Sequence, residues 1–306
     1  MTEHTKGLIA MIAACIIWGL SPIAFKAMTG IPALEVLAHR ALWSLLIFGV
    51  LLAIQGRLRE LFSALRRRQD MIAVLSAAFL IMGGWWVFIW SIQSGQATQT
   101  ALGFYIYPLV AVALGRVLFA ERLNRAQLGA VVMVGGAVLL LTYGLGQLPW
   151  IALVLAFNFA LYGAIKKRLN LGPVVSVTAE VLVMVPFALL ILWYTRHNGT
   201  AHFGGWDRDT ALLIFAGPLT AVPLILFSYA ARLLTLTTTG LVSYINPTLQ
   251  FFIAVALFGE LFSTWHVAAF SLIWTALALY SISTWRQEKA RLSALNVAGA
   301  SATSSR

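Results

Sequence analysis

Apolar residues in this chain come in long, nearly unbroken runs. They follow neither the i, i+3, i+4 stripes of a soluble amphipathic helix nor the alternation of a half-buried strand. Polar breaks delimit ten such runs, at 8–28, 33–55, 70–92, 98–119, 126–143, 149–165, 173–194, 210–231, 238–258 and 265–285. Most approach the roughly 20 residues that a helix needs to cross a bilayer core. The pattern therefore predicts an all-α integral membrane protein with ten transmembrane helices. Several breaks are very short, such as Gly144-Leu-Gly-Gln-Leu-Pro149, which implies antiparallel helical hairpins.

Composition supports lipid as the solvent. Of 306 residues, 60% are apolar and 10% charged, against about 45–50% and 25% in soluble domains. A soluble enzyme and a disordered chain are excluded. The formal net charge of +11 comes from 21 Lys and Arg against 10 Asp and Glu. Sorted by loop, all the cations but Lys26, Arg40, Arg196 and Arg208 fall on one side. The positive-inside rule makes that side cytoplasmic, so both termini are expected in the cytoplasm of a multi-pass protein of a bacterial inner membrane. The excess charge then serves topology, and no nucleic-acid partner is expected. Cys15 is the only cysteine, which leaves no disulfide framework or thiolate metal site. No metal and no cofactor are expected.

An internal repeat organises the chain. Tyr105-Ile-Tyr-Pro108 returns as Tyr244-Ile-Asn-Pro247, and Phe119-Ala-Glu121 returns as Phe258-Gly-Glu260 at the same offset of 139. Thr98 and Thr100 fall on Thr237 and Thr239, and Trp90 falls on Tyr229. Trp18-Gly19 resembles Tyr162-Gly163, with Lys26 and the Lys166-Lys167 pair further along. The expected organisation is a cytoplasmic N-terminus (1–7), a first five-helix repeat (8–143), a second (149–285) and a polar cytoplasmic tail (286–306), largely disordered. Five is odd, so consecutive copies enter the membrane with opposite orientation. Inverted repeats of this kind are a recurrent architecture of secondary transporters.

The chain resembles the ten-helix drug/metabolite transporter superfamily, built of two EamA-type five-helix units, and within it the RarD-like branch. The resemblance is carried by Ala14-Cys-Ile-Ile-Trp-Gly-Leu-Ser-Pro22, His39-Arg40 before Trp43-Ser44, and Gly83-Gly-Trp-Trp-Val-Phe-Ile-Trp90. Gly103-Phe-Tyr-Ile-Tyr-Pro108, Glu121-Arg122, Tyr244-Ile-Asn-Pro247 and Gly259-Glu260 complete it. It implies a carrier of small molecules, in a superfamily whose substrates include amino acids, nucleotide sugars and drugs.

Ionisable groups inside a span cost about 2.5–3.5 kcal/mol each on insertion scales and invite a functional reading. Arg40 and Glu180 lie at equivalent depths in the second and seventh spans, each about 10 Å below its own surface at the rise of a helix. In one reading they line the substrate path, Arg40 attracting an anionic group and Glu180 an amine or a coupling proton. In the other, Arg40 snorkels outward and Glu180 caps or pairs with Lys166–Arg168. Glu35 and His39 share a helix face, which suggests a local hydrogen bond or a pH sensor. Glu121 and Glu260 are expected to bond neighbouring helix ends, and His266 to be a boundary residue like Gln127.

Pro108 and Pro247 interrupt equivalent helices and free backbone carbonyls; they read as a pair of hinges or as packing kinks. Trp86, Trp90, Tyr105, Tyr229 and Tyr244, with Asn246 and Gln250, fit the recipe of a mostly apolar pocket with a few placed polar groups. The same rings also fit interface anchors. The expected function is a secondary transporter, exporting a small amphipathic metabolite or drug by alternating access. A passive channel is the alternative, and a membrane-embedded enzyme using Glu180 and a histidine a remote one. The chain carries no P-loop, H-E-x-x-H or G-x-S-x-G motif, so an enzyme is not expected.

Overall fold

A computed structural model describes residues 2–120, 123–167, 169 and 171–304, and among them only helices and connecting segments occur. In chain order the helices are α1 (Glu3–Ala27), α2 (Ala33–Ile54), α3 (Leu58–Arg66), α4 (Arg68–Gln93), α5 (Ala97–Phe119), α6 (Arg125–Leu145) and α7 (Trp150–Lys166). They continue with α8 (Pro173–His197), α9 (Arg208–Leu233), α10 (Leu236–Ser243), α11 (Ile245–Phe252), a π-helical turn (Ile253–Leu257) and α12 (Thr264–Ser304). Among the described residues, nine helical stretches are long and apolar enough to cross a membrane. One of them spans α10, α11 and the π turn. A shorter apolar helix, α7 at 17 residues, stands beside them. Helices are what an apolar chain in lipid must form, because no water is present to satisfy unpaired backbone groups.

Two elements depart from the pattern. The loop after the second span holds α3, an amphipathic helix whose Leu61 and Ala64 are buried while Phe62 stays exposed. Arg57 before it donates to both carboxylate oxygens of Glu60, at 3.0 and 2.8 Å. Those hydrogen bonds hold the Glu60 carboxyl below its ordinary range. Nine residues are too few to register as a run, so the apolar pattern passes over α3. At the other end, α12 continues as helix to Ser304, where composition suggests disorder. Strong helix formers such as Ala, Leu, Lys, Glu and Arg dominate the segment after Trp285 and favour that extension.

Helices distant in sequence pack in pairs. Helix α2 lies against α8, α6 against α12 and α5 against α11; α1 packs on α9 and α11, as α7 packs on α4 and α5. Small residues allow the closest approaches. A Cβ on Gly103 would meet the Ala152 carbonyl at 2.9 Å, and one on Gly217 would collide with the Trp43 Cβ. One apolar core gathers Tyr105, Leu141, Phe270 and Ile273 between α5, α6 and α12. A second gathers Phe25, Val36, Phe88, Leu155 and Leu213 between α1, α2, α4, α7 and α9.

The repeated motifs acquire structural reasons. In Phe119-Ala-Glu121 and Phe258-Gly-Glu260 the middle residue is left-handed in both copies, with φ 53° at Ala120 and 65° at Gly259. Glycine adopts that conformation freely, whereas alanine there costs about 1–2 kcal/mol. Asn124 and Gln127 form a capping box at the start of α6. At the start of α12 the same offset of 139 places Ser263 and His266, whose Nδ1 accepts from the Ser263 backbone N–H at 3.2 Å. His266 is thus a boundary residue, as expected from Gln127. The expected interruption at Pro108 is not a break, since α5 is helical throughout. Proline removes one donor, and the helix continues past it. The equivalent span breaks at Tyr244 instead, which places Pro247 in the first turn of α11, where a missing N–H is tolerated.

Candidate functional site

Arg40 is the eighth residue of α2 and Glu180 the eighth of α8, on two helices that pack together. Both are buried, at 6% and 0% exposure, and their surroundings differ. Arg40 donates from Nε to Thr220 Oγ1 of α9 at 2.6 Å. Its guanidinium lies 4.0 Å from the Trp85 ring centroid and 5.5 Å from that of Phe25, a cation–π arrangement that partly offsets desolvation. No carboxylate pairs with it among the described residues, and its Nη1 is buried without an acceptor.

Glu180 is fully engaged. Oε1 receives Lys166 Nζ at 2.6 Å and Ser176 Oγ at 2.8 Å, and Oε2 receives the Tyr162 hydroxyl at 2.9 Å. Lys166 also donates to Ser176. The last turn of α7 thus brings Lys166 and Tyr162, four residues apart on one helix face, onto α8. Of the expected Lys166–Arg168 partners, Lys166 is the one in place, and Arg168 lies outside the described residues.

Above Arg40, the segment between α8 and α9 folds over the start of α2. Glu35, wholly buried, accepts from the His202 backbone N–H at 2.8 Å and faces His202 Nδ1 at 2.9 Å. Phe203 lies on His39, ring centroids 4.5 Å apart, and reaches Trp43 at 6.2 Å. The local Glu35–His39 hydrogen bond is therefore replaced by a long-range one. His202, 167 residues away in the chain, supplies two donors to Glu35, and the His39 ring turns to an aromatic partner. Trp43 Nε1 is buried with no acceptor.

The aromatic set separates. Trp86, 41% exposed, shares the outward stripe of α4 with Ile72, Leu75 and Phe79. Tyr229, 44% exposed, shares that of α9 with Ile214, Phe215 and Val222. Both lie on the partly exposed faces of their helices. Trp90 packs on Trp150 at 5.7 Å. Tyr105 is buried against Phe270 and Trp274, with its hydroxyl 2.8 Å from Thr248 Oγ1 on α11. Tyr244 packs against the same core. Asn246 Oδ1 accepts from Gln250 Nε2 at 2.8 Å, leaving the buried Gln250 Oε1 without a donor. Tyr105 and Tyr244 thus join the core that α5, α6 and α12 form beside α11, whereas Asn246 and Gln250 pair with each other along α11.

Glu260 behaves as expected of a residue that bonds a helix end. Its two oxygens accept the Ala97 and Thr98 backbone N–H groups at 2.6 and 2.7 Å, closing the N-terminus of α5, where a carboxylate is favoured. Its counterpart Glu121 lies outside the described residues. Sequence reasoning missed Thr220, His202 and Phe203, which reach α2 from elements more than 150 residues away. Trp85 was legible only as one ring of an aromatic run.

Comparison with known proteins places this arrangement. The EamA-like transporter family matches residues 5–143. Protein RarD of Streptomyces exfoliatus is 40% identical, covering 95% of this chain and 94% of its own. Protein RarD of Escherichia coli strain K12 is 36% identical over 91% of this chain and 94% of its own. YojE of Bacillus subtilis strain 168, named an uncharacterized transporter, is 36% identical over 94% and 97%. A solved crystal structure with 16% identity superposes with a TM-score of 0.61, covering 93% of this chain and 99% of that one. Its likeness extends to the fold alone. This multi-pass membrane chain belongs to the EamA-like transporter family, in its RarD-like branch.

Proposed function

We propose that the protein is a secondary transporter that moves a small amphipathic metabolite or drug outward across the bacterial inner membrane by alternating access. The observation that carries this reading is Arg40, a cation buried without a carboxylate on the helix that packs against its own equivalent, α8. A structural charge in so apolar a place is normally paired, and a membrane carrier has a use for one that is not. The mutual packing of α2 with α8, α5 with α11 and α6 with α12 supports two five-helix halves related by a two-fold axis. Such halves can rock about a central site. The distribution of Lys and Arg supports cytoplasmic termini, which reporter fusions at each loop would test.

The substrate path on this reading includes Arg40, the tyrosines Tyr105 and Tyr244 and the Asn246–Gln250 pair, with Glu180 and its partners in the symmetry-related position. Pro108 and Pro247 act as hinges of equivalent spans, one inside an unbroken helix and one beside a break. The deciding experiment is counterflow in proteoliposomes: solute loaded inside should accelerate entry of labelled solute, because an alternating site exchanges faster than it returns empty. Flux without stimulation by loaded solute would identify a channel. Pro108→Ala and Pro247→Ala variants that retain wild-type turnover would dispose of the hinges.

A further inference from the structure

Among the described residues three carboxylate or guanidinium side chains are buried in the interior: Glu35, Arg40 and Glu180. Two are answered. Glu35 holds His202, and Glu180 holds Lys166 with two hydroxyls. Arg40 has one hydroxyl and two ring faces. A guanidinium offers five donors and keeps its proton, so burial leaves an unanswered positive charge, which in a low-dielectric interior acts strongly on any anion that arrives. The carboxylate that would bind a cationic solute, Glu180, is already occupied.

The rings beyond Arg40 add shape. From Phe25, under the guanidinium, a chain of phenyl groups runs through Phe88, Phe104 and Phe159, with successive centroids 5.7, 5.8 and 5.3 Å apart. Beside Phe159, Asn158 Oδ1 is buried with no donor. Gly84 makes room for that amide: a Cβ there would lie 2.7 Å from the oxygen. One end of the lane therefore lacks an anion and the other lacks a hydrogen-bond donor.

We infer that the cargo is an organic anion. Its carboxylate binds Arg40, its flat apolar body takes the place of the contacts that Phe25, Phe88, Phe104 and Phe159 make with one another in this closed core, and a donor at its far end meets Asn158. The inference rests on the transport reading in taking the ligand as cargo, and it makes organic cations poor cargo.

The test is equilibrium binding to the purified full chain in lipid nanodiscs. Three probes differ only at the head: para-hydroxyphenylpropionate, its primary amide and the corresponding primary amine. The carboxylate should bind roughly tenfold to hundredfold more tightly than the amide, the worth of one charge-assisted hydrogen bond, and the amine should bind most weakly. Arg40→Gln should erase the preference, and Arg40→Lys, which keeps the charge, should retain most of it. Asn158→Leu should weaken the hydroxylated probe and leave plain phenylpropionate unchanged. Amide or amine binding as tightly as carboxylate, or no binding of any probe, overturns the inference. Displacement by sulfate or chloride as effective as by unlabelled carboxylate also overturns it, leaving a site for inorganic ions. Counterflow without carboxylate preference sinks this inference and spares the transport reading; carboxylate-selective binding without counterflow does the reverse.

Discussion

Arg40 and Glu180 occupy the same position in the two halves of the molecule, and the halves treat them oppositely. Glu180 sits under the last turn of α7, where Lys166 and Tyr162 both reach it. The offset of 144 that superposes Trp18-Gly19 on Tyr162-Gly163 puts Pro22 of α1 where Lys166 stands. Trp18 packs against Phe227 at 5.8 Å. Helix α1 therefore offers Arg40 no ionisable partner at that turn, and the guanidinium turns to Trp85 and to Thr220 of the other half. Depth in the membrane flags both residues equally. Only the neighbouring helix decides which charge is paired and which is not.

The comparison breaks or holds on stability first. Lys166→Met strands Glu180 as an unpaired buried carboxylate and should cost about 3–5 kcal/mol, read as a large fall in the melting midpoint of the purified protein. Lys166→Met with Glu180→Leu removes both charges and should recover most of that loss. Arg40→Met deletes a charge that has no carboxylate, so its midpoint should stay near that of the wild type. An equal loss in Arg40→Met and Lys166→Met would show that the two charges do the same structural work.

Smaller changes sharpen the contrast between the halves. Glu260→Ala opens the start of α5 and should cost about 1–2 kcal/mol, the range of a lost helix cap; Glu260→Gln should recover part of it. Ala120→Gly gives the first repeat the residue that the second already has at its left-handed position. It should raise stability by about 1 kcal/mol, and a melting midpoint below that of the wild type would count against the conformational account of the repeated motif. The smallest effect belongs to the strap over α2. His202→Ala should cost less than about 1 kcal/mol, because the backbone N–H at position 202 still bonds Glu35.

Much of the fold was readable from one chain. Apolar run lengths located α1, α2 and α4–α9 to within a few residues, and the start though not the end of α12, because lipid admits no other backbone solution. The Glu260 cap and the resemblance of His266 to Gln127 followed from a repeat at fixed spacing. The break at Tyr244, the π-helical turn after it and the unbroken course of α5 past Pro108 did not, since equivalent prolines gave no sign of which copy would bend. Nor did the side-chain directions of Trp86 and Tyr229, which depend on how α4 and α9 are rotated against their neighbours.

What the sequence determined by itself was an all-helical chain of membrane-spanning runs, the recurrence of its motifs and the identity of the few residues whose chemistry is out of place in lipid. These are local or periodic properties, set by composition and spacing. Tertiary structure alone decided that Glu180 is paired and Arg40 is not, that His202 and not His39 answers Glu35, and that four phenyl rings lead from Arg40 toward Asn158. Each depends on contacts between helices distant in sequence. The energy of a buried charge is set by the groups within a few ångströms of it, and the order of residues along the chain does not disclose them.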